Sequence, residues 1–352
     1  MWVAFAGYLG FLAAAPRLGR RVVWGAILLF VAAFALAPVL LSHDVYSYLD
    51  YARLGARHGL DPYVHPPLAA PADPAFAEVT WTEATSAYGP LFTLLTYPLA
   101  WLPVAGAVAA LKAIAALSVL GIAALVGRMA AWRGVDPLRT AAFVALNPLV
   151  LVHVVGGAHN DGLTMLLATL SVAALLSARE LSGGGALVAA IATKASAAFL
   201  APFALLGARR RGAFLSGAAI TAVAVAAVAW LAFGWDWLHG FGLAGENQSR
   251  TSYMSVPITA ARLTGLDADA VRLAAAILFA ASIASLLAWT WRGGDWVRAS
   301  GWAALALLLA TSWLLPWYLI WALPLVAISR DRPLQLLALA LTAYQLGARI
   351  PL

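Results

Sequence analysis

Apolar segments long enough to cross a membrane recur from one end of the chain to the other, and this pattern limits the possible fold most. Of 352 residues, 63% are apolar and 11% are charged, whereas a soluble globular chain carries about 25% charged residues. About 20 apolar residues cross a bilayer as a helix, which satisfies each backbone N–H within its own segment. The pattern therefore predicts an all-α polytopic membrane protein, which we treat as a single domain over residues 1–352.

Ten apolar segments are expected to form membrane helices. No basic residue precedes the first segment, so we expect it to be a membrane helix rather than a cleaved signal peptide. With partial elements included, the bundle should contain roughly 10–13 transmembrane helices. The predicted helices lie at 2–15, 22–41, 104–127, 140–156, 161–178, 212–233, 270–291, 299–315, 317–329 and 333–350.

Basic residues cluster in short gaps between these segments. The gaps contain 14 of the 22 Lys and Arg residues but only four of the 15 acidic residues. The positive-inside rule places the gaps in the cytoplasm, which puts two long loops, about 42–90 and 234–257, outside the cell. The net charge of +7 follows from this placement and does not indicate a nucleic-acid partner. The basic gap residues are Arg17, Arg20, Arg21, Arg128, Arg133, Arg139, Arg179, Arg209, Arg210, Arg211, Arg292, Arg298, Arg330 and Arg332.

One apolar segment does not fit a single crossing of a plasma membrane. Residues 184–206 are about one helix long, yet Arg179 precedes them and the basic gap at 209–211 follows. Both ends should therefore lie on the cytoplasmic side. Two short helices that enter and return would satisfy this, with Lys194 near the turn, and such breaks occur where they are buried in protein or line a cavity. A second partial element is expected at 91–102, which prolines interrupt.

A polar motif follows the second predicted helix, where the chain leaves the membrane. Ser42 can cap a new helix, and apolar side chains along one face of 45–56 suggest a helix lying in the membrane interface until Gly59. Asp44 and Tyr48 share another face of this helix. Asp44 could be a catalytic carboxylate, or only a first-turn carboxylate that the helix dipole favours. Both interpretations stay open at this stage.

A second polar motif lies between two predicted helices on the outer side. Two glycines precede His159, Asn160 and Asp161, and glycines allow close approach of the backbone. The motif could bind a substrate, or it could be a plain turn and helix cap. His159 and Asp161 could also bind a divalent metal, but catalytic metal sites usually have three protein ligands. We therefore expect no cofactor.

Four outer-side cations stand in apolar context, namely Lys194, Arg250, Arg262 and Arg349, and Arg349 can reach the interface by snorkelling. A charge within the membrane costs roughly 2.5–3.5 kcal/mol on insertion scales and indicates function by default. Lys194 in particular needs a counter-charge at the predicted turn. A ligand phosphate could supply it, or an acidic residue on another helix such as Asp44 or Asp161. Aromatic residues near the outer boundary, including Trp317 and Tyr318, are expected mainly in an interfacial belt, with one or two available to stack on a sugar.

Several short motifs occur in a fixed order along the chain, at 44–48, 59–63, 88–90, 147–149, 157–161 and 316–318. The ordered set resembles the polyprenol-phosphate-mannose-dependent α-1,6-mannosyltransferases of actinobacterial lipoglycan synthesis, which are membrane glycosyltransferases of the C-type fold. The resemblance covers roughly residues 20–330, and His43 departs from the Gln or Ser that the family would have before its aspartate.

The resemblance implies inverting transfer of a hexose, expected to be mannose, from a polyprenyl-phosphate donor to a lipid-linked or polysaccharide acceptor at the outer face. It implies that Asp44, at the matching position, is the base that takes the proton of the acceptor hydroxyl. A leaving phosphate needs cations rather than a second carboxylic acid, and we assign this role to Lys194, Arg250 and Arg262. The residues expected to contact sugar or acceptor are His43, Tyr48, His159, Asn160, Asp161, Trp317 and Tyr318.

The alternative function is a flippase for lipid-linked sugars or a transporter of small solutes. Many transporters have paired broken helices in two repeated halves. This sequence predicts one re-entrant break and has no internal repeat. We therefore favour the enzyme, with membrane lipids, a lipid-linked donor and a glycan acceptor as its partners.

Overall fold

The computed structural model describes residues 2–246 and 249–347, and every regular element within these ranges is helical. This confirms the predicted all-α class. Short 3-10 turns at Tyr97–Trp101, Ala195–Leu200 and Pro316–Trp321 and a π-helical turn at Val150–Val155 join the helices. The α-helices are α1 Trp2–Ala14, α2 Arg20–Leu36, α3 Asp44–His58, α4 Pro90–Thr96, α5 Val104–Trp132, α6 Pro137–Ala145, α7 Asp161–Leu176, α8 Glu180–Thr193, α9 Ala201–Gly207, α10 Arg211–Phe233, α11 Trp237–Glu246, α12 Val256–Thr264, α13 Ala268–Trp291, α14 Trp296–Ala310, α15 Leu323–Ile328 and α16 Arg332–Gly347.

Three of these helices, α5, α10 and α13, are long and apolar enough to cross a membrane by themselves. Several other predicted crossings are interrupted at prolines. The helix predicted at 140–156 is interrupted before Pro148. There the side-chain oxygen of Asn147 accepts a hydrogen bond from the N–H of Leu149 at 3.0 Å. The helix predicted at 22–41 ends at Leu36, because the residue before a proline is driven out of helical geometry. The end of the helix predicted at 333–350 lies outside the described residues.

The predicted break at Lys194 is confirmed. Lys194 has extended backbone geometry (φ −157°, ψ 126°) between α8 and the 3-10 turn that leads into α9. The chain then returns, because Arg210 at the start of α10 lies 3.8 Å from Glu180 at the start of α8. Glycines permit this arrangement, since a Cβ built on Gly184 or Gly217 would lie 2.0 Å or 1.9 Å from a carbonyl oxygen of the facing helix.

The basic gaps meet at one end of the bundle, which we call the arginine end. Arg133 pairs with Asp295, and Arg298 pairs with Asp331 at 2.6 Å. These contacts join gaps that are far apart in sequence, as the prediction of a common side requires. The opposite end, which we call the cavity end, carries α3 and the break after α8.

Helix α3 has the predicted bounds. Gly59 ends it with a positive φ of 66°, a conformation that glycine adopts without strain. The apolar face of α3 packs on protein rather than on lipid, because Val45, Leu49 and Tyr48 are buried and the helix packs against α4, α5 and the turn at Tyr97–Trp101. The position of α3 along the membrane interface stays a prediction.

Candidate active site

A cavity of about 1180 Å³ lies at the cavity end of the bundle. The start of α3, the loop at 80–88, the break after α8, the upper part of α13 and the turn at Pro316–Trp321 form its walls. Six predicted site residues from four separate parts of the chain meet there. They are His43, Asp44, Lys194, Arg250, Trp317 and Tyr318.

Asp44 is the first residue of α3, and its side chain is 19% exposed at the cavity wall. Its N–H donates to Ser42 Oγ at 3.3 Å, and Trp81 Nε1 donates to Asp44 Oδ1 at 3.4 Å. Burial raises the pKa of the Asp44 carboxyl above its usual range, although the positive charge of Lys194 opposes this shift. A carboxylate with a raised pKa accepts a proton more readily than an ordinary one while it remains ionised.

His159 and Tyr48 lie behind Asp44 rather than against the cavity. His159 Nδ1 is 3.7 Å from Asp44 Oδ2 and 3.4 Å from the hydroxyl of Tyr48. The imidazole also stacks on Trp317, with ring centroids 3.7 Å apart. His159 and Tyr48 are 1% and 2% exposed and do not line the cavity, and their contact with sugar or acceptor stays a prediction. They pack against the carboxylate from its protein side.

Lys194 has an acidic partner within the protein. Its ammonium lies 2.8 Å from both oxygens of Asp161, and Asn160 Oδ1 accepts from it at 3.4 Å. Trp321 Nε1 donates to the same carboxylate at 2.6 Å, and the ring of Tyr318 lies 5.3 Å from the ammonium. Asp161 and Asn160 are buried and do not line the cavity. They hold the lysine at the break, and their contact with sugar or acceptor stays a prediction.

Arg250 and Trp81 connect the two long loops across the cavity. The guanidinium of Arg250 lies 5.1 Å from the centre of the Trp81 ring, within the range of a cation–π contact. Because Trp81 also donates to Asp44, one indole ring separates the predicted base from this cation. Arg250 thus lines the cavity near Asp44, and its role in binding phosphate stays a prediction.

Two other predicted residues lie at the margin or elsewhere. The side chain of His43 is 52% exposed at the rim, where its Nδ1 lies 3.1 Å from the carbonyl oxygen of Glu78. Arg262 does not line the cavity, because it is exposed and stacks on Tyr253 with its Cζ 3.7 Å from the ring centroid. The structure therefore does not bring Arg262 together with the two predicted cations of the cavity, Lys194 and Arg250.

Sequence reasoning missed two cavity residues, Trp81 and Arg272. Trp81 stands alone in a polar loop, and no pattern within the sequence ties it to Asp44. Arg272 did carry a signal, since a cation one turn inside an otherwise apolar helix is a functional candidate by default. It lines the cavity from α13 and donates to Ser312 Oγ at 3.1 Å.

His159 and Asp161 are the two candidate metal ligands in the sequence. The structure turns these side chains toward Asp44 and Lys194 respectively. Among residues 2–246 and 249–347, no three acidic or histidine side chains are grouped closely enough to hold a metal ion. Activity without a cofactor stays a prediction.

Comparison with known sequences decides the family. Residues 1–210 match the profile of the family described as alpha-(1->6)-mannopyranosyltransferase, N-terminal domain. Alpha-(1->6)-mannopyranosyltransferase A of Mycobacterium tuberculosis is 33% identical over 353 residues, a match covering 88% of this chain and 67% of that protein. The chain belongs to the alpha-(1->6)-mannopyranosyltransferase family. This confirms the prediction made from the ordered motifs.

Other matches of this alpha-(1->6)-mannopyranosyltransferase family member are partial. Alpha-(1->6)-mannopyranosyltransferase A of Corynebacterium glutamicum is 29% identical over 186 residues, which cover 51% of this chain and 38% of that protein. No solved structure matches the chain. The family profile covers Asp44, Asp161 and Lys194 but ends before Arg250 and Arg272.

Proposed function

We propose that this protein transfers a mannosyl group from a polyprenyl-phosphate donor to a hydroxyl group of a glycan or glycolipid acceptor, with inversion at the anomeric carbon. The observation that carries the proposal is the placement of one partly buried carboxylate, Asp44, in a cavity that also contains Arg250 and Lys194. The names of the relatives support mannose as the sugar and an α-(1→6) bond as the product. That bond would place the acceptor hydroxyl at a sugar C6.

In this reaction one bond forms and one breaks at the anomeric carbon. The acceptor hydroxyl gives its proton to Asp44 while its oxygen bonds to that carbon. The bond from the carbon to the phosphate oxygen breaks, and the polyprenyl phosphate leaves with the bonding electrons. The negative charge that develops on the phosphate is stabilised by cations. One base with several cations is therefore the expected set, in contrast to the two carboxyl groups of a glycosidase.

The two predicted cations of the cavity differ in how free they are to bind a phosphate. The charge of Lys194 is matched by the buried Asp161 at 2.8 Å, so a phosphate would have to compete with that carboxylate. Arg250 lies against the ring of Trp81, and its planar fork of N–H donors suits a phosphate. We therefore assign the phosphate first to Arg250, with Lys194 contributing positive potential near Asp44.

The proposal includes the outer face of the membrane as the location of the cavity. Its support is the charge distribution, since the basic gaps meet at the arginine end and the cavity lies at the other. The positive-inside rule orients the arginine end toward the cytoplasm.

The test is a transfer assay with purified protein in detergent. Polyprenyl-phosphate mannose and a mannoside acceptor are supplied, and both the released polyprenyl phosphate and the new glycoside are measured. Asp44→Asn keeps the size of the side chain but removes the base, so turnover should fall by about 10²–10⁴-fold with donor binding retained. Glu83→Gln removes an exposed carboxylate from the same loop region and should leave turnover unchanged.

Two outcomes would contradict the proposal. Near-normal turnover in Asp44→Asn would remove the assigned base. Movement of the intact donor across a liposome membrane, without release of polyprenyl phosphate, would favour the flippase instead.

A further inference from the structure

One face of α13 lines the cavity along two turns of helix. Arg272, Leu273, Ala276 and Phe279 all belong to the cavity wall, and their spacing places them on one side of the helix. Phe279 lies about 10 Å below Arg272 along the helix axis. None of the most apolar 18-residue window of α13 is buried inside the protein, so the flank beside this face is open to lipid.

The facing wall is apolar as well. Phe199 from the 3-10 turn after Lys194, and Leu307 and Ala310 from α14, lie across the cavity from α13. One turn beyond Phe279, Ile283 of α13 packs against a buried cluster that contains Phe203 of α9, and neither residue lines the cavity. The cavity therefore continues along α13 as an apolar groove that ends before Ile283, beside the unburied flank of the helix.

A cation stands at the upper end of this groove. The side chain of Arg272 is 27% exposed, and it donates to Asp269, to Ser312 Oγ and to the carbonyl oxygen of Ser249. These contacts occupy three of its five N–H donors. The Asp269 side chain is 85% exposed, and exposed ion pairs are worth little, so a phosphate can replace that carboxylate on the guanidinium.

A series of contacts connects Asp44, the predicted base, to Arg272. Asp44 accepts from Trp81, Arg250 lies over the Trp81 ring, and Arg272 donates to the carbonyl of Ser249, the neighbour of Arg250. In an inverting reaction the base and the leaving group lie on opposite faces of the sugar. The base is about 3 Å from the acceptor oxygen, which is about 3 Å from the anomeric carbon. The phosphate therefore belongs beyond the indole, at the arginines, rather than beside Asp44.

We propose that α13 is the binding surface for the lipid donor: Arg272, together with Arg250, holds the phosphate, and Leu273, Ala276 and Phe279 contact the first isoprene units. A cation above an apolar groove that opens to the bilayer is complementary to a polyprenyl monophosphate, which is anionic at one end and apolar along its length. This inference rests on the proposed function and adds the residues that select a lipid-linked donor.

Binding is measured directly, so that the result does not depend on turnover. The purified protein in lipid nanodiscs is titrated with undecaprenyl phosphate and with geranyl phosphate, a two-isoprene analogue. Arg272→Gln should weaken the binding of both probes by about ten- to a hundredfold, the usual range for a hydrogen bond to a charged group. Phe279→Ala should reduce the preference for the longer probe. Because α13 is largely unburied, neither change should disturb the fold.

Matched control variants distinguish an effect of the groove from a general effect of changing an exposed residue. Leu278→Ala changes the adjacent exposed residue, which does not line the cavity, and Arg262→Gln removes an exposed arginine outside the cavity. Both should bind the probes as the wild type does. Equal effects of Phe279→Ala and Leu278→Ala, unchanged binding in Arg272→Gln, or no binding of either probe by the wild type would each overturn the inference. If the expected binding pattern holds but no mannose is transferred, the proposed function fails and the binding surface stands.

Discussion

Replacing Lys194 by methionine probes the ion pair at the broken helix. Methionine fills most of the lysine's volume but leaves Asp161, which is 0% exposed, without a cationic partner. Removing one partner of a buried ion pair costs about 3–5 kcal/mol. The hydrogen bond that Trp321 donates to Asp161 at 2.6 Å remains in the variant.

At roughly 2 °C per kcal/mol for a chain of this size, a cost of about 4 kcal/mol should place the thermal midpoint of Lys194→Met in detergent about 8 °C below that of the wild type.

The double variant Lys194→Met with Asp161→Asn is the control, since it removes both charges and should recover most of the lost stability. Donor affinity is measured on the same proteins. An unchanged midpoint with strongly weakened donor binding would show that Lys194 serves the phosphate rather than Asp161. A double variant that stays as unstable as Lys194→Met would refute the argument from a buried, unpaired carboxylate.

Two further predictions concern the loop side of the bundle. Burial, reinforced by the negative charge of Asp73, raises the pKa of Asp50 to about 7. Between about pH 4 and 7 the folded protein therefore binds one more proton at this residue than the unfolded chain does. The free energy of unfolding should consequently fall as the pH rises through that range. The thermal midpoint of Asp50→Asn should not fall over this pH range. An identical pH profile of the midpoint in the variant and the wild type would contradict the raised pKa of Asp50. Ala72→Cys and Gly212→Cys, both exposed at opposite ends, should label with an impermeant thiol reagent from outside and inside the cell respectively, and labelling of both from one side would reverse the topology.

The site was predictable from sequence wherever its chemistry is local. Asp44 begins a helix directly after a membrane segment, and the break at Lys194 follows from basic gaps on both sides of one apolar run. Both signals depend on residues near in sequence and on the cost of burying charge. The partners of those residues were not predictable in the same way. Asp161 was only one of the possible counter-charges for Lys194, and the 2.8 Å contact depends on how α7 packs against α8.

The sequence by itself determined the helical class, the grouping of basic gaps, the break after α8 and the family. These follow from hydropathy, from charge placement and from short ordered motifs, all of which act along the chain. Only the tertiary structure decided that His159 lies behind Asp44, that Arg262 is outside the cavity and that Arg272 is inside it. The reason is physical: the side of a helix that faces a cavity depends on which helices pack against it, and in a membrane protein nearly every face is apolar, so the sequence pattern does not distinguish the face toward lipid from the face toward protein.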